Sequence, residues 1–157
     1  MRELSYALDH AVWGFRPEGF HLTNVLLYAC IVAAFYLVSR KTVGEEAAFL
    51  SALLFAVHPI HAEAVAWVSG RKDLLAAFFV ILAWGSLSGE GKGRYVLGLF
   101  FYVAACLSKT AALPFPLAFW FLDRRRSWKA LSPFLLVMAA LGILQWRLAA
   151  GAGVAGR

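Results

Sequence analysis

The chain has 157 residues, of which 62% are hydrophobic and only 15% charged, and 15 Lys and Arg against 9 Asp and Glu leave a formal charge of +6. A typical globular protein is about 45–50% apolar and about 25% charged, so this composition excludes a disordered chain, a secreted disulfide scaffold and a water-soluble enzyme. The positive charge lies in short clusters between long apolar runs, the pattern of basic loops in a multi-pass membrane protein rather than of a nucleic-acid-binding surface.

Residues 1–20 carry Leu4, Ala7, Leu8, Ala11, Val12 and Phe15 at helical spacing. This predicts an amphipathic helix lying on the membrane interface and ending in the stretch from Trp13 to Gly19, which holds two glycines and a proline. His21 and Asn24 stand at the mouth of the first span on one helical face, with Asp9 nearby. Residues 22–38 form an unbroken apolar run of crossing length, closed by Ser39, Arg40 and Lys41. Thr42-Val43-Gly44-Glu45 matches a capping box, and the apolar body that follows, Ala47 to Val57, should stop at His58-Pro59. Such a helix is about 22 Å long, so the segment His58 to Glu63 is expected at shallow membrane depth.

Residues 74–87 make the next apolar run, bracketed by Asp73 and the loop from Ser88 to Arg94, with Trp67 and Trp84 suited to the two interfaces. Residues 95–122 would be about 42 Å long as one helix against a hydrocarbon core of about 30 Å. Ser108-Lys109 in the middle, then Pro114 and Pro116, favour a broken element. Counting basic residues does not choose. A broken element that returns to its own side puts Arg40, Lys41, Lys92, Arg94, Arg124, Arg125, Arg126 and Lys129 opposite Arg2, Arg16, Arg71 and Lys72, and a single crossing gives the same ratio reversed. The last run, 133–148, reads as a span with Ser132 as N-cap and Pro133 at the first helical position. Residues 151–157 are glycine-rich and read as a frayed tail or the edge of a longer protein. Cys30 and Cys106 sit in apolar runs, where packing as small hydrophobes is expected.

Three sets of polar residues need reasons. A lysine at the centre of a spanning helix costs about 2.5–3.5 kcal/mol, so Lys109 calls for a partner: an anion such as a lipid phosphate, or a helix-end carbonyl at the break. His58, His61 and Glu63 lie within six positions and could bind a divalent metal or move protons, but they match no zinc motif, and a solvated turn capping two helices is the plainer reading. Arg71-Lys72-Asp73 opens the next helix, where an interfacial anchor is expected and Asp73 favours the helix N-terminus.

Together, the strings Ser5-Tyr6-Ala7-Leu8-Asp9, Trp13-Gly14, Gly19 to Leu27, Leu54 to Leu75 and Leu107-Ser108-Lys109 resemble, in order and spacing, the membrane half of the transmembrane and tetratricopeptide-repeat-containing O-mannosyltransferases and their bacterial relatives. The resemblance covers residues 4 to about 123. It implies an all-α, polytopic integral membrane bundle of the GT-C type, with residues 1–20 as an interfacial helix of an external loop, 21–150 as a partial transmembrane domain and 95–122 as two short non-spanning helices. The loop His58 to Asp73 would then face outward, and Arg124 to Lys129 would be cytoplasmic.

The implied activity is transfer of a mannose-like hexose from a polyprenyl-phosphate donor to protein hydroxyls outside the cytoplasm. The membrane would be a bacterial inner membrane, or the endoplasmic reticulum in a eukaryote. The implied partners are membrane lipid, that donor and a protein acceptor, with no nucleic acid. By superfamily analogy Glu63 and His61 take the catalytic place, and Lys109 and Arg71 the donor phosphate. His58, His21, Asn24 and Asp73 support them, while a divalent metal has no assigned ligands. In the family a first transmembrane helix and an acidic first-loop motif precede the segment seen here and repeats follow it, so the chain reads as a fragment in which Glu63 is half of a site. Thr110 also stands where relatives commonly carry Glu or Pro. The competing readings are a non-catalytic membrane anchor, one half of a split gene, or a small transporter.

Overall fold

The computed structural model describes residues 2–122 and 128–151. All of its regular structure is helical: α1 (Arg2–Trp13), α2 (Pro17–Val43), α3 (Glu45–Val57), α4 (Ile60–Ala66), a 3-10 turn (Val68–Gly70), α5 (Arg71–Leu87), α6 (Lys92–Ser108), a second 3-10 turn (Thr110–Ala112), α7 (Phe115–Leu122) and α8 (Trp128–Gly151). Among the described residues, two helices are long and apolar enough to cross a membrane: α2, and α8 over Leu131–Leu148. The pair α3 and α4 passes the same test only as a bent element, with an angle of 61° at the break. The fold is an all-α domain of the membrane type. Its chain divides into two compact units, Met1–Lys109 and Thr110–Arg157.

In the first unit α2 packs against both α3 and α5, and α5 packs most extensively against α6. Ile31 and Val38 of α2 meet Leu74 and Ile81 of α5, with Leu27, Phe35, Phe78 and Trp84 around them. The other faces expose Leu50, Leu54, Val96 and Phe100. Apolar exposure at this level is what a lipid-facing surface requires. In the second unit α7 packs against α8, and Phe119, Leu131 and Phe134 are buried.

Four details differ from the sequence reading. The helix over the expected first span starts at Pro17, its first helical residue, so Pro17 to Phe20 belong to α2 rather than to α1, which stops at Trp13 where Gly14 turns to φ +63°. The capping box does not form. Gly44 holds the N-cap at φ +87°, the Thr42 hydroxyl donates back to the Ser39 carbonyl, and Glu45 accepts from the Tyr36 hydroxyl, so both would-be capping groups face α2. The last helix begins at Trp128, a turn before Ser132, which places Pro133 inside it. Cys30 is exposed on α2, whereas Cys106 is buried as expected. The break in 95–122 is present: α6 ends at Ser108, and Lys109 is extended at φ −152°, ψ 135°. The cluster Arg124 to Arg126 and residues 152–157 of the tail lie outside the described residues.

Candidate functional site

Proline chemistry starts the site. In an unbroken helix the Phe55 carbonyl would accept from the amide of residue 59, but Pro59 has none, and the Ala56 carbonyl would accept from Ile60, whose amide turns instead to Nδ1 of His58 at 3.2 Å. The Phe55 carbonyl takes the His58 amide instead, at 3.3 Å, and the Tyr28 hydroxyl, from α2, lies within hydrogen-bond distance of both carbonyls, 2.9 Å from Phe55 and 3.1 Å from Ala56. Below the break His61 packs its ring on Phe55, centroids 4.3 Å apart, and on Tyr28 at 5.6 Å. Burial pushes the His61 imidazole below its ordinary pKa, and the charge of His58 adds to the shift.

Ten residues later the backbone is held by a buried charge. All three nitrogens of the Arg71 guanidinium donate: Nη1 to Asp9 of α1, Nε to the Asn24 side-chain oxygen at 2.8 Å, and Nη2 to the Phe20 carbonyl at 2.8 Å. The other Asp9 oxygen accepts from Thr23 at 3.0 Å, and the Tyr6 ring lies 5.1 Å from the guanidinium carbon. Asn24 passes the connection on, its amide donating to the Trp67 carbonyl at 3.0 Å and to Val65 at 3.4 Å. Arg71 is 1% exposed and Asn24 0%. A charge this deep is tolerated only when it is fully paired, and here the pairing ties α1, α2 and the segment 65–71 together. Gly70 allows the tight approach: a Cβ there would lie 2.8 Å from the Ala64 Cα.

These two devices shape a cleft of about 610 Å³ between α2, α3, α4, α5 and Lys109. Tyr28, Phe55, His61 and Trp67 give it aromatic walls, and Glu63, Ser69, Lys72, Asp73 and Lys109 supply its polar groups. Lys109 forms an ion pair with Asp73, both side chains remaining partly exposed at 40% and 34%. Glu63 and Lys72 have no side-chain partner among the described residues. The cleft therefore carries one paired and one unpaired carboxylate beside one paired and one unpaired ammonium.

Of the expected site residues, Glu63, His61, Asp73 and Lys109 meet at this cleft. Arg71 does not line it, because its guanidinium is turned into the protein by Asp9 and Asn24. Asn24 stands behind the cleft rather than in it, His58 caps α4, and His21 is exposed away from it. For Lys109 the structure supplies a partner outside both sequence readings, the carboxylate of Asp73. His58, His61 and Glu63 do not converge, and among the described residues no three His, Cys, Asp or Glu groups are arranged to hold a metal ion. Sequence reasoning missed Tyr28 and Trp67 as site residues. The proline three residues after Ala56 was the available sign that a buried donor had to come from elsewhere.

Residues 4–147 match the family model described as dolichyl-phosphate-mannose-protein mannosyltransferase. The protein O-mannosyl-transferase TMTC2 of Mus musculus is 43% identical over 81 residues, which are 51% of this chain and 10% of that protein. Tmtc1 of Drosophila melanogaster is 36% identical over 115 residues, 70% of this chain and 13% of that protein. TMTC3 of Mus musculus is 37% identical over 90 residues, 57% of this chain and 10% of that protein. The chain thus spans about a tenth of the length of these relatives. No solved structure matches it.

Proposed function

The chain belongs to the dolichyl-phosphate-mannose-protein mannosyltransferase family, and on that premise we propose that it forms part of the membrane domain of a protein O-mannosyltransferase. The donor is a polyprenyl-phosphate sugar, and transfer takes place outside the cytoplasm, with the loop 58–73 on that side. The observation that carries the reading is the cleft itself, where Glu63 and Lys109, 46 positions apart in sequence, line one cavity at the two breaks in the helical framework.

Inverting transfer needs three things. The oxygen of an acceptor hydroxyl attacks the anomeric carbon, the bond from that carbon to the phosphate oxygen breaks with its electron pair leaving on the polyprenyl phosphate, and the hydroxyl proton goes to a base. Glu63, unpaired and exposed, is the group placed to take a proton on the acceptor side. Lys109 and Lys72 are placed to stabilise the phosphate, with Lys109 leaving Asp73 when the anion arrives. His61 lines the same cleft with its basicity lowered. Arg71 acts through the backbone it holds and touches no reacting atom.

Mannosyl transfer from polyprenyl-phosphate mannose, measured in native membranes, tests the assignment. Glu63→Gln is expected to lower turnover with little change in membrane insertion, and Lys109→Met to raise the KM for the donor. Transfer unchanged in both variants would leave the chain as a non-catalytic anchor.

A further inference from the structure

We infer that Trp67 is a stacking platform for a pyranose ring, with Glu63 as its hydrogen-bonding partner; the inference rests on the sugar-transfer reading of the cleft. Trp67 combines two properties that seldom coincide. It is 62% exposed, and its indole meets no other ring and no hydrogen-bond partner among the described residues. Its backbone, in contrast, is clamped three ways: the amide donates to the Glu63 carbonyl at 3.0 Å, and the carbonyl accepts from Gly70 at 3.0 Å and from the fully buried Asn24 at 3.0 Å. The Arg71 network therefore holds this residue in place while leaving its aromatic face open.

A hexopyranose presents an apolar C–H face and a rim of hydroxyls, so its recognition calls for a fixed aromatic face with polar groups close by. Both are here. The indole lines the cleft, and Glu63, one helical turn earlier, lines it with a carboxylate that has no other partner. Ser69 borders the same cavity and can serve a further hydroxyl. Its volume of about 610 Å³ lies within the range of about 300–1,000 Å³ usual for small-molecule pockets.

The test uses the full chain in lipid nanodiscs with methyl α-mannopyranoside as probe, read by saturation-transfer NMR. Wild type is expected to transfer magnetisation to the ring protons. Trp67→Ala should weaken binding about tenfold, and Trp67→Phe, which keeps an aromatic face, should restore most of it. Equal binding by wild type and Trp67→Ala overturns the inference, as does absence of transfer in the wild type. An indole that serves only as a lipid-interface anchor would show itself differently, as quenching by brominated lipid that depends on Trp67 with no glycoside signal, and that too overturns it. Mannosyl transfer is measured separately in Glu63→Gln and Lys109→Met: if it is intact in both, the transferase reading fails whatever the glycoside does, whereas a normal donor KM in Trp67→Ala alongside defects in those two variants removes only the platform.

Discussion

Arg71 and Asp73 stand two positions apart at the start of α5, each in an ion pair, and the two pairs behave as opposites. Arg71 and Asp9 have side chains 1% and 8% exposed, whereas Asp73 and Lys109 are 34% and 40% exposed. Adjacent faces of one helical turn thus point one charge into the protein and the next into a cleft. Where water is excluded, each charge depends on its partner and on every surrounding hydrogen bond, so the pair locks elements together. Where water remains, the pair is worth little and can be exchanged for another ion. One pair is a fastening for α1, α2 and the segment 65–71. The other is a contact that an incoming anion can replace.

The strongest challenge to this contrast is Arg71→Met, which leaves Asp9 buried without its partner and should cost about 3–5 kcal/mol. Reversible unfolding in detergent would measure it, and Asp9→Leu combined with Arg71→Met should recover much of the loss, because a buried charge is then no longer stranded. A single-variant cost as small as that of Lys109→Met would erase the distinction between the pairs. Next in size, Tyr28→Phe removes the donor that serves the Ala56 carbonyl left open by the break and should cost about 1–3 kcal/mol in the same measurement. If the loss were negligible, the break would have another source of hydrogen bonds.

Lys109→Met should change stability by no more than about 1 kcal/mol, and raising the salt concentration should shrink even that difference. A larger, salt-insensitive loss would show that the cleft pair is a fastening as well. The smallest expected effect belongs to His61. Its folded pKa lies below the unfolded value of about 6.5, so the unfolded chain binds more protons in that window, and stability falls as the pH drops from about 6.5 towards the lowered value. His61→Gln should flatten this part of the pH profile of thermal unfolding; parallel profiles would place the dependence on another group.

Much of the framework was legible because membrane helices are written in uninterrupted stretches of apolar residues. The span over 22–38, the stop at His58-Pro59, the start of α5 at Arg71 and the break at Ser108-Lys109 all appear as expected. Each is a local matter of side-chain polarity or of proline's missing amide. The errors were also local in kind. The capping box at Thr42 to Glu45 is a correct motif in an unsuitable place, because a glycine at positive φ takes the cap and both polar side chains find partners on α2. Likewise Pro133 is compatible with the first turn of a helix, yet the chain begins the helix five residues before it.

Sequence by itself determined that this chain is a set of membrane-type helices with an interrupted fourth segment, to which family it belongs, and that Glu63 and Lys109 needed explanations. Those conclusions follow from periodicity, from the cost of charge in an apolar run and from strings of residues in fixed order, none of which requires knowing what touches what. Only the tertiary structure decided which partner each charge has. In sequence Arg71 is open to a donor phosphate, but Asp9, 62 positions earlier, lies against it, and Lys109 is open to a phosphate or a carbonyl, but Asp73 is the group that pairs with it. A side chain several bonds long can reach groups from any neighbouring helix, and the energy of a charge depends on that neighbour and on whether water reaches them both.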